Sequence, residues 1–371
     1  MNRTRVAIAS LIRPHLRAAE PYQPVQSLEA LSAEIGIPVD RIAKLDANEN
    51  PYGPSPQVLA KLAGYRGFHR YPDPIHDDLR AALGAYWGAA PERIVLGAGA
   101  DELIDLICRL FLGPEDEVID LVPTFGMYRF STEIAGAVYR PVRRRADFSV
   151  DVAAVRPALT PRTKLIWVAA PNNPTGTPLD PADAEALAAL GVPLVIDEAY
   201  AEFSGVTFRA LAERLEHVML LRTFSKWAGL AGLRIGYGLF PPAVAEALLT
   251  IKPPYNVNVA AAVAARAALE DADHRERTVA AILAERGRLV GTLAASPYLR
   301  PIPSAANFVF CSVVGASARA LRDALRRRGV LVRYYDTPLL ENAIRVSVGR
   351  PEDTDQLAAA LAAVRPEEVD A

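Results

Sequence analysis

The chain has 371 residues, 51% of them hydrophobic and 23% charged, with a formal net charge of -2. That length can bury a large core and divide into two domains, and the composition is that of a compact protein, not a disordered one. The near-neutral balance gives no bulk field for nucleic acid or a membrane surface, and no apolar run approaches a membrane span.

Residues 1–20 are Arg-rich with one acid, Glu20. Their apolar run, 6–12, is too short for a signal core and is ended by Arg13 and Pro14, so a helical or extended arm is expected. The arm continues to 45 with one short helix and holds Tyr22, which on composition alone reads as a packing tyrosine. DANENPYGP (46–54) is a turn-rich loop carrying Asn48. RYPDP (70–74) is a second proline-fixed loop, and its Tyr71 has the character of an interface residue.

The spacing of Ile75, Leu79, Ala82, Leu83 and Tyr86 predicts a helix. A strand at 94–96 runs into GAGADE and a helix through 111. Strand, glycine turn and helix N-terminus make an anion site from free N–H groups and the helix dipole, here at Ala100 and Asp101. Glu102 stands where a dinucleotide fingerprint needs its third glycine, which weighs against a nicotinamide or flavin domain. The two cysteines, Cys108 and Cys311, match no metal or redox spacing and read as buried hydrophobes in a reducing, cytoplasmic compartment; no metal site is expected. A strand at 117–122 ends in PTFGMY, where Phe125 is placed either to stack on a flat ring or to fill the core. The strand at 165–169 leads into PNNPTG, an ordered loop with Asn173. After a helix at 181–190, the apolar strand 193–196 delivers Asp197, Glu198 and Tyr200 at its end.

The strand at 218–221 opens onto RTFSKWAGLAGLRIGYG (222–238). Lys226 lies among Ala, Trp and Leu, where desolvation frees its proton and makes a nucleophilic amine able to condense with an aldehyde. Thr223, Ser225 and Arg234 suit a phosphate. Aldehyde and phosphate together suggest pyridoxal phosphate, although the stretch alone reads equally as a buried turn with one snorkelling lysine. Strands and helices alternate from about 90 to 240, which predicts a mainly parallel, doubly wound sheet with its ligand beyond the strand carboxyl ends. The 97–102 turn, Phe125, Asn173, Asp197 and Lys226 all stand there.

From 259 the pattern changes to Ala/Arg/Glu-rich helices, then strands at 308–312, 330–334 and 344–348 with a helix at 317–328. We expect an N-terminal arm (1–45) packed on the small domain or a partner subunit, a large domain (46–258) and a smaller α/β domain (259–371). Arg333 and Arg345 sit on neighbouring strands and either converge on one anion or are two surface arginines.

PNNPTG, DEAY and TFSKWAGLAGLRIGYG, in this order and spacing, resemble the fold-type I aminotransferases that depend on pyridoxal phosphate. DANENPYG, RYPD, GAGADE, PTFGMY, PYNVN, GVLVRYY and IRVSVG are similar to the histidinol-phosphate aminotransferase branch, and the likeness runs from residue 22 to 349. The resemblance implies that Lys226 holds the cofactor aldehyde and then acts as general base. Asp197 pairs with the ring nitrogen, Asn173 and Tyr200 bond the ring hydroxyl, and Phe125 stacks on the ring where many relatives carry Tyr. The phosphate falls to the amides of Ala100 and Asp101 with Thr223, Ser225 and Arg234. Tyr71 reaches a partner subunit's phosphate in a homodimer with shared sites. Tyr22, Asn48, Tyr255, Arg333 and Arg345 fall at substrate positions. The implied reaction is ping-pong transfer of an amino group between L-histidinol phosphate and 2-oxoglutarate, in histidine biosynthesis. The same cofactor residues would serve an aromatic (phenylalanine) aminotransferase or a threonine-phosphate decarboxylase. A regulator with a fused DNA-binding module is not expected, because the motifs begin by residue 22.

Overall fold

The computed structural model describes residues 8–17, 26–335 and 337–370. Its strands in chain order are β1 (Ala43–Leu45), β2 (Ile94–Gly97), β3 (Glu117–Val122), β4 (Val138–Arg143), β5 (Thr163–Ala169), β6 (Leu194–Asp197), β7 (Val218–Thr223), β8 (Gly236–Leu239), β9 (Leu299–Pro301), β10 (Phe308–Val313), β11 (Val330–Tyr335) and β12 (Ala343–Ser347).

Seven strands form one sheet in the order β2-β8-β7-β6-β5-β3-β4. β8 alone runs against its neighbours; the other ladders are parallel. The central parallel strands β5, β6 and β7 carry apolar runs (LIWVA, LVI and VMLL) because both faces are covered. Val118, Leu165, Trp167, Val195 and Met219 point to one face, where they meet Leu103, Ile104 and Ile107 of the helix Ala100–Phe111. Ile119, Ile166, Val168, Ile196 and Leu220 point to the other. Each such side chain contributes about 1.5–3 kcal/mol when fully buried. The expected large, mainly parallel sheet is present, with two strands that pattern alone did not mark. β4 (VYRPVR) lies at the edge, where a proline costs no ladder bond. β8 (GYGL) has two glycines in four residues and no readable alternation.

The second sheet has the order β1-β11-β12-β10-β9. β1 comes from the segment expected as an arm and pairs parallel with β11, Ala43 against Val330. Three residues are too few to show a strand period. The helix Val259–Glu270 packs against the helices Pro56–Gly64 and Asp77–Trp87. The next helix, Ala272–Ala295, buries Thr278, Ile282, Glu285, Leu289 and Leu293 on one stripe and packs against β9, β10 and the helix Pro351–Ala362. No helix among the described residues is long and apolar enough to cross a membrane.

Candidate active site

The loops leaving β2, β3, β5, β6 and β7 at their carboxyl ends line a cavity of about 610 Å3, and residues of β11 and β12 close its other side. Asn48, Phe125, Asn173, Asp197, Tyr200 and Lys226 all face it.

At one end, Gly97-Ala98-Gly99 turns into the helix Ala100–Phe111. Gly99 has φ +83° and caps the helix without a side-chain bond, which leaves first-turn N–H groups available. The turn is braced from below: Glu102 accepts from the Ala98 amide at 2.6 Å and from Asn256 Nδ2 at 2.6 Å. Thr223 Oγ1 donates to Ser225 Oγ at 2.9 Å and accepts from the Ser225 amide at 3.0 Å. Arg234 reaches over Gly99 and donates from Nη2 to Asp101 Oδ2 at 2.9 Å. Hydroxyls, uncapped amides and a guanidinium around one small volume make a cup for a phosphate.

In the middle of the cavity stands Asp197, 5% exposed at the end of β6. Its Oδ2 accepts from the Tyr128 hydroxyl at 2.6 Å and its Oδ1 from the Ala199 amide at 2.9 Å. No cation pairs with it among the described residues. Burial pushes its carboxyl up to about 6, against the pull of those hydrogen bonds. A buried carboxylate without a cation fits a ligand that brings one. Phe125 lies edge-on to Tyr128, with centroids 5.7 Å apart.

Lys226 Nζ lies 3.4 Å from the Ala47 carbonyl and 5.9 Å from the centre of the Tyr200 ring, with no carboxylate in bonding range. Burial, and after it the charge of Arg345, lower the amine to about 8. Such an amine is in part unprotonated near neutral pH and is a competent nucleophile and base. The Tyr200 hydroxyl accepts from Asn48 Nδ2 at 3.1 Å, and burial pushes it up to about 12.

Arg333 and Arg345 are direct register partners across β11 and β12, and both face the cavity. Their roles differ. Arg345 Nη1 donates to Asn173 Oδ1 at 2.6 Å and its Nη2 to the Asp46 carbonyl at 2.8 Å. Arg333 makes no hydrogen bond or ion pair among the described residues; it lies 6.0 Å from the centre of the Tyr335 ring. Asn48, at φ +54°, is fixed by Ser347 and Asn307: Ser347 Oγ bonds its amide and side-chain oxygen, and Asn307 Nδ2 donates to its carbonyl.

Tyr71 and Tyr255 are not part of the cavity lining. They stack on each other at the surface, with centroids 4.4 Å apart, Tyr71 being 81% and Tyr255 45% exposed. Tyr22 lies outside the described residues. Tyr128, Ser347 and Asn307 were not anticipated from sequence. Tyr128 stands inside PTFGMY, a turn after Phe125, but an aromatic on the apolar stripe of a helix reads as core. Among the described residues no cluster of His, Cys, Asp or Glu is arranged to hold a metal ion.

The family model for class I and II aminotransferases matches residues 40–361. A histidinol-phosphate aminotransferase of Roseiflexus castenholzii is 53% identical over 360 residues, covering 95% of this chain and 97% of its own. The chloroplastic histidinol-phosphate aminotransferase of Nicotiana tabacum is 45% identical over 358 residues, covering 95% of this chain and 86% of its own. The crystal structure of a Sinorhizobium meliloti histidinol-phosphate aminotransferase in complex with pyridoxal-5'-phosphate superposes with a TM-score of 0.85 at 30% identity, over 97% of each chain.

Proposed function

The chain belongs to the class I and II aminotransferase family, in its histidinol-phosphate branch, and from that premise we propose that it transfers the amino group between L-histidinol phosphate and 2-oxoglutarate in histidine biosynthesis. Its cofactor is pyridoxal 5'-phosphate, and the site fits that group at three points. The cup at Ala100, Thr223, Ser225 and Arg234 suits the phosphate, the cation-free Asp197 suits the ring nitrogen, and the amine of Lys226 suits the aldehyde. One observation carries the substrate class: Arg333 and Arg345, register partners that line the same cavity as Lys226, one held by Asn173 and Asp46 and the other without a hydrogen bond among the described residues. A guanidinium fork binds carboxylate or phosphate, and a ping-pong transferase must take glutamate and a phosphate ester in turn.

When bound, the cofactor supplies an aldehyde to receive the amino group and a protonated ring to accept electrons from the substrate α-carbon. Lys226 would take the α-proton on Nζ and deliver it to the carbon that carried the aldehyde, which its lowered basicity allows near neutral pH. Asp197, ionised, holds the ring nitrogen protonated. Asn173 and Tyr200 would hydrogen-bond the ring hydroxyl, Phe125 would stack on the ring, and Arg345 would orient the substrate anion.

The protein is proposed to be a cytoplasmic homodimer. The exposed stack of Tyr71 on Tyr255 suits an interface, with Tyr71 serving the partner's phosphate cup. Within the chain we propose an arm (1–45), a large domain and a small domain. Because the helix Val259–Glu270 packs on the large body, the junction is better placed at Asp271 than at 259.

The test is an amino half-reaction on the cofactor-loaded protein without keto acid, followed by absorbance. L-Histidinol phosphate at low concentration should convert the cofactor to its amino form, and L-phenylalanine should do so poorly. Equal or better conversion by phenylalanine would overturn the substrate assignment and leave the cofactor chemistry standing. Silence toward both would make phosphothreonine the next compound.

A further inference from the structure

Tyr128 has no part in the chemistry above, yet it makes the shortest hydrogen bond to the carboxylate that the ring nitrogen needs. It is 0% exposed, on the helix Met127–Ala135 that follows β3. Its ring stacks on Trp167 of β5, with 3° between the ring planes and centroids 5.0 Å apart, and Phe125 meets it edge-on. Packing from two aromatics therefore fixes where the hydroxyl points. It points at Asp197 Oδ2, 2.6 Å away.

The direction of that bond is settled by the surroundings. Asp197 and the buried Asp120 of β3 both oppose a negative charge on Tyr128, and burial opposes it more strongly still. A phenol that cannot ionise beside a carboxylate must donate. Each Asp197 oxygen then has one protein donor, Tyr128 or the Ala199 amide, and keeps lone-pair capacity for a ligand.

We propose that Tyr128 is a positioning residue for the transferase reaction: its ring-clamped hydroxyl donates to Asp197 and holds that carboxylate ionised and in one orientation for the cofactor ring nitrogen. This rests on the cofactor assignment and not on which amine is the substrate. The groups facing Asp197 divide cleanly. Asp101 from the helix Ala100–Phe111 and Glu198 from its own segment push toward the neutral acid, and Tyr200 lies nearby. Tyr128 and the Ala199 amide oppose them, so among the described residues the hydroxyl is the one side-chain donor working for the charged form.

The test is the pH dependence of pyridoxal phosphate affinity, measured by equilibrium dialysis on the full-length protein, which needs no amine substrate. Binding that uses ionised Asp197 weakens as the pH falls through its pKa. Tyr128→Phe keeps the ring stack and removes the donor, so the acid limb should move up by about one pH unit, with about tenfold weaker binding on it. Tyr128→His, which retains a donor, should recover part of the shift. In an Asp197→Asn background, Tyr128→Phe should move nothing further. Should Tyr128→Phe not fold, 3,5-difluorotyrosine at position 128 keeps the shape and strengthens the donor, and the limb should move down. An unmoved limb in folded Tyr128→Phe, or the same shift in the Asp197→Asn background, overturns the proposal. A wild-type protein that binds no pyridoxal phosphate would sink the cofactor assignment with it, whereas failure of histidinol phosphate as substrate leaves this measurement intact.

Discussion

Asp197 and Lys226 are perturbed in the same physical way, each driven by burial toward its neutral form, and in the proposed site each would be relieved by what the cofactor brings. For Asp197 this has a stability consequence. Its folded pKa, about 6, stands above the ordinary 3.8, so the folded protein binds this proton more tightly than the unfolded chain. That contribution is complete below pH 3.8 and is lost as the pH rises through about 6. The cofactor-free protein at pH 8 thus carries a buried charge that its two hydrogen bonds offset only in part, at a cost of about 3 kcal/mol. Asp197→Asn should stabilise the cofactor-free protein at pH 8 by about 2–3 kcal/mol, with the two curves converging below pH 4. The same substitution should weaken cofactor retention. Urea denaturation of both proteins across pH reads the effect, and equal midpoints at pH 8 would contradict it. Asp197 and Lys226 were legible in the sequence because each follows an apolar strand and is chemically out of place there. Tyr128 was not, because nothing in a linear pattern separates a tyrosine that fills space from one that also aims a hydroxyl. The bridging role of Ser347 and Asn307 depends on fold contacts 299 and 259 residues along the chain from Asn48.

Among the elements, β8 is the least conspicuous in sequence and one of the most constrained in space. A Cβ on Gly236 would lie 2.4 Å from the Ala100 amide nitrogen and 2.7 Å from the Gly99 carbonyl carbon, which are backbone atoms that cannot swing aside. The strand therefore passes directly under the uncapped helix start, and glycine is what permits the approach. Gly236→Ala should cost about 1–3 kcal/mol through strain, and should weaken cofactor binding more than a change elsewhere of equal cost, since it displaces the amides of the cup. Thermal unfolding and a pyridoxal phosphate titration check the two halves; unchanged affinity alongside a lowered melting point would separate β8 from the cup. The long parallel strands were readable because burial on both faces leaves them continuously apolar, as in LVID of β6. β1, β4 and β8 escaped for separate reasons: one is three residues long, one is an edge with charge and proline, and one is half glycine.

At the scale of the molecule, the cavity is a seam between two sheets. Arg345 of β12 holds Asn173 of the loop after β5, and Asn48 is held by Ser347 while itself holding Tyr200. The two walls of the cavity are thus tied together by hydrogen bonds, and a tilt between the sheets would misplace both. The proposed dimer is tested at the surface stack of Tyr71 and Tyr255. If Tyr71 serves a partner's site, inactive Lys226→Ala mixed with the weakened Tyr71→Phe should regain about a quarter of wild-type activity after subunit exchange, from mixed dimers with one intact site. A fully active monomer, or no recovery on mixing, would confine Tyr71 to its own chain.

The parallel pairing of β1 with β11 also orders events during synthesis. The strands of the seven-stranded sheet lie together between Ile94 and Leu239 and can assemble while translation continues. β1 emerges before all of them and must wait unpaired until Val330 and its neighbours leave the ribosome. A nascent chain stalled near residue 300 would therefore hold a folded cofactor-binding sheet beside an open strand, with Arg333 and Arg345 not yet made. Competence to hold the cofactor would then precede competence to hold a substrate by the time it takes to translate the last part of the chain.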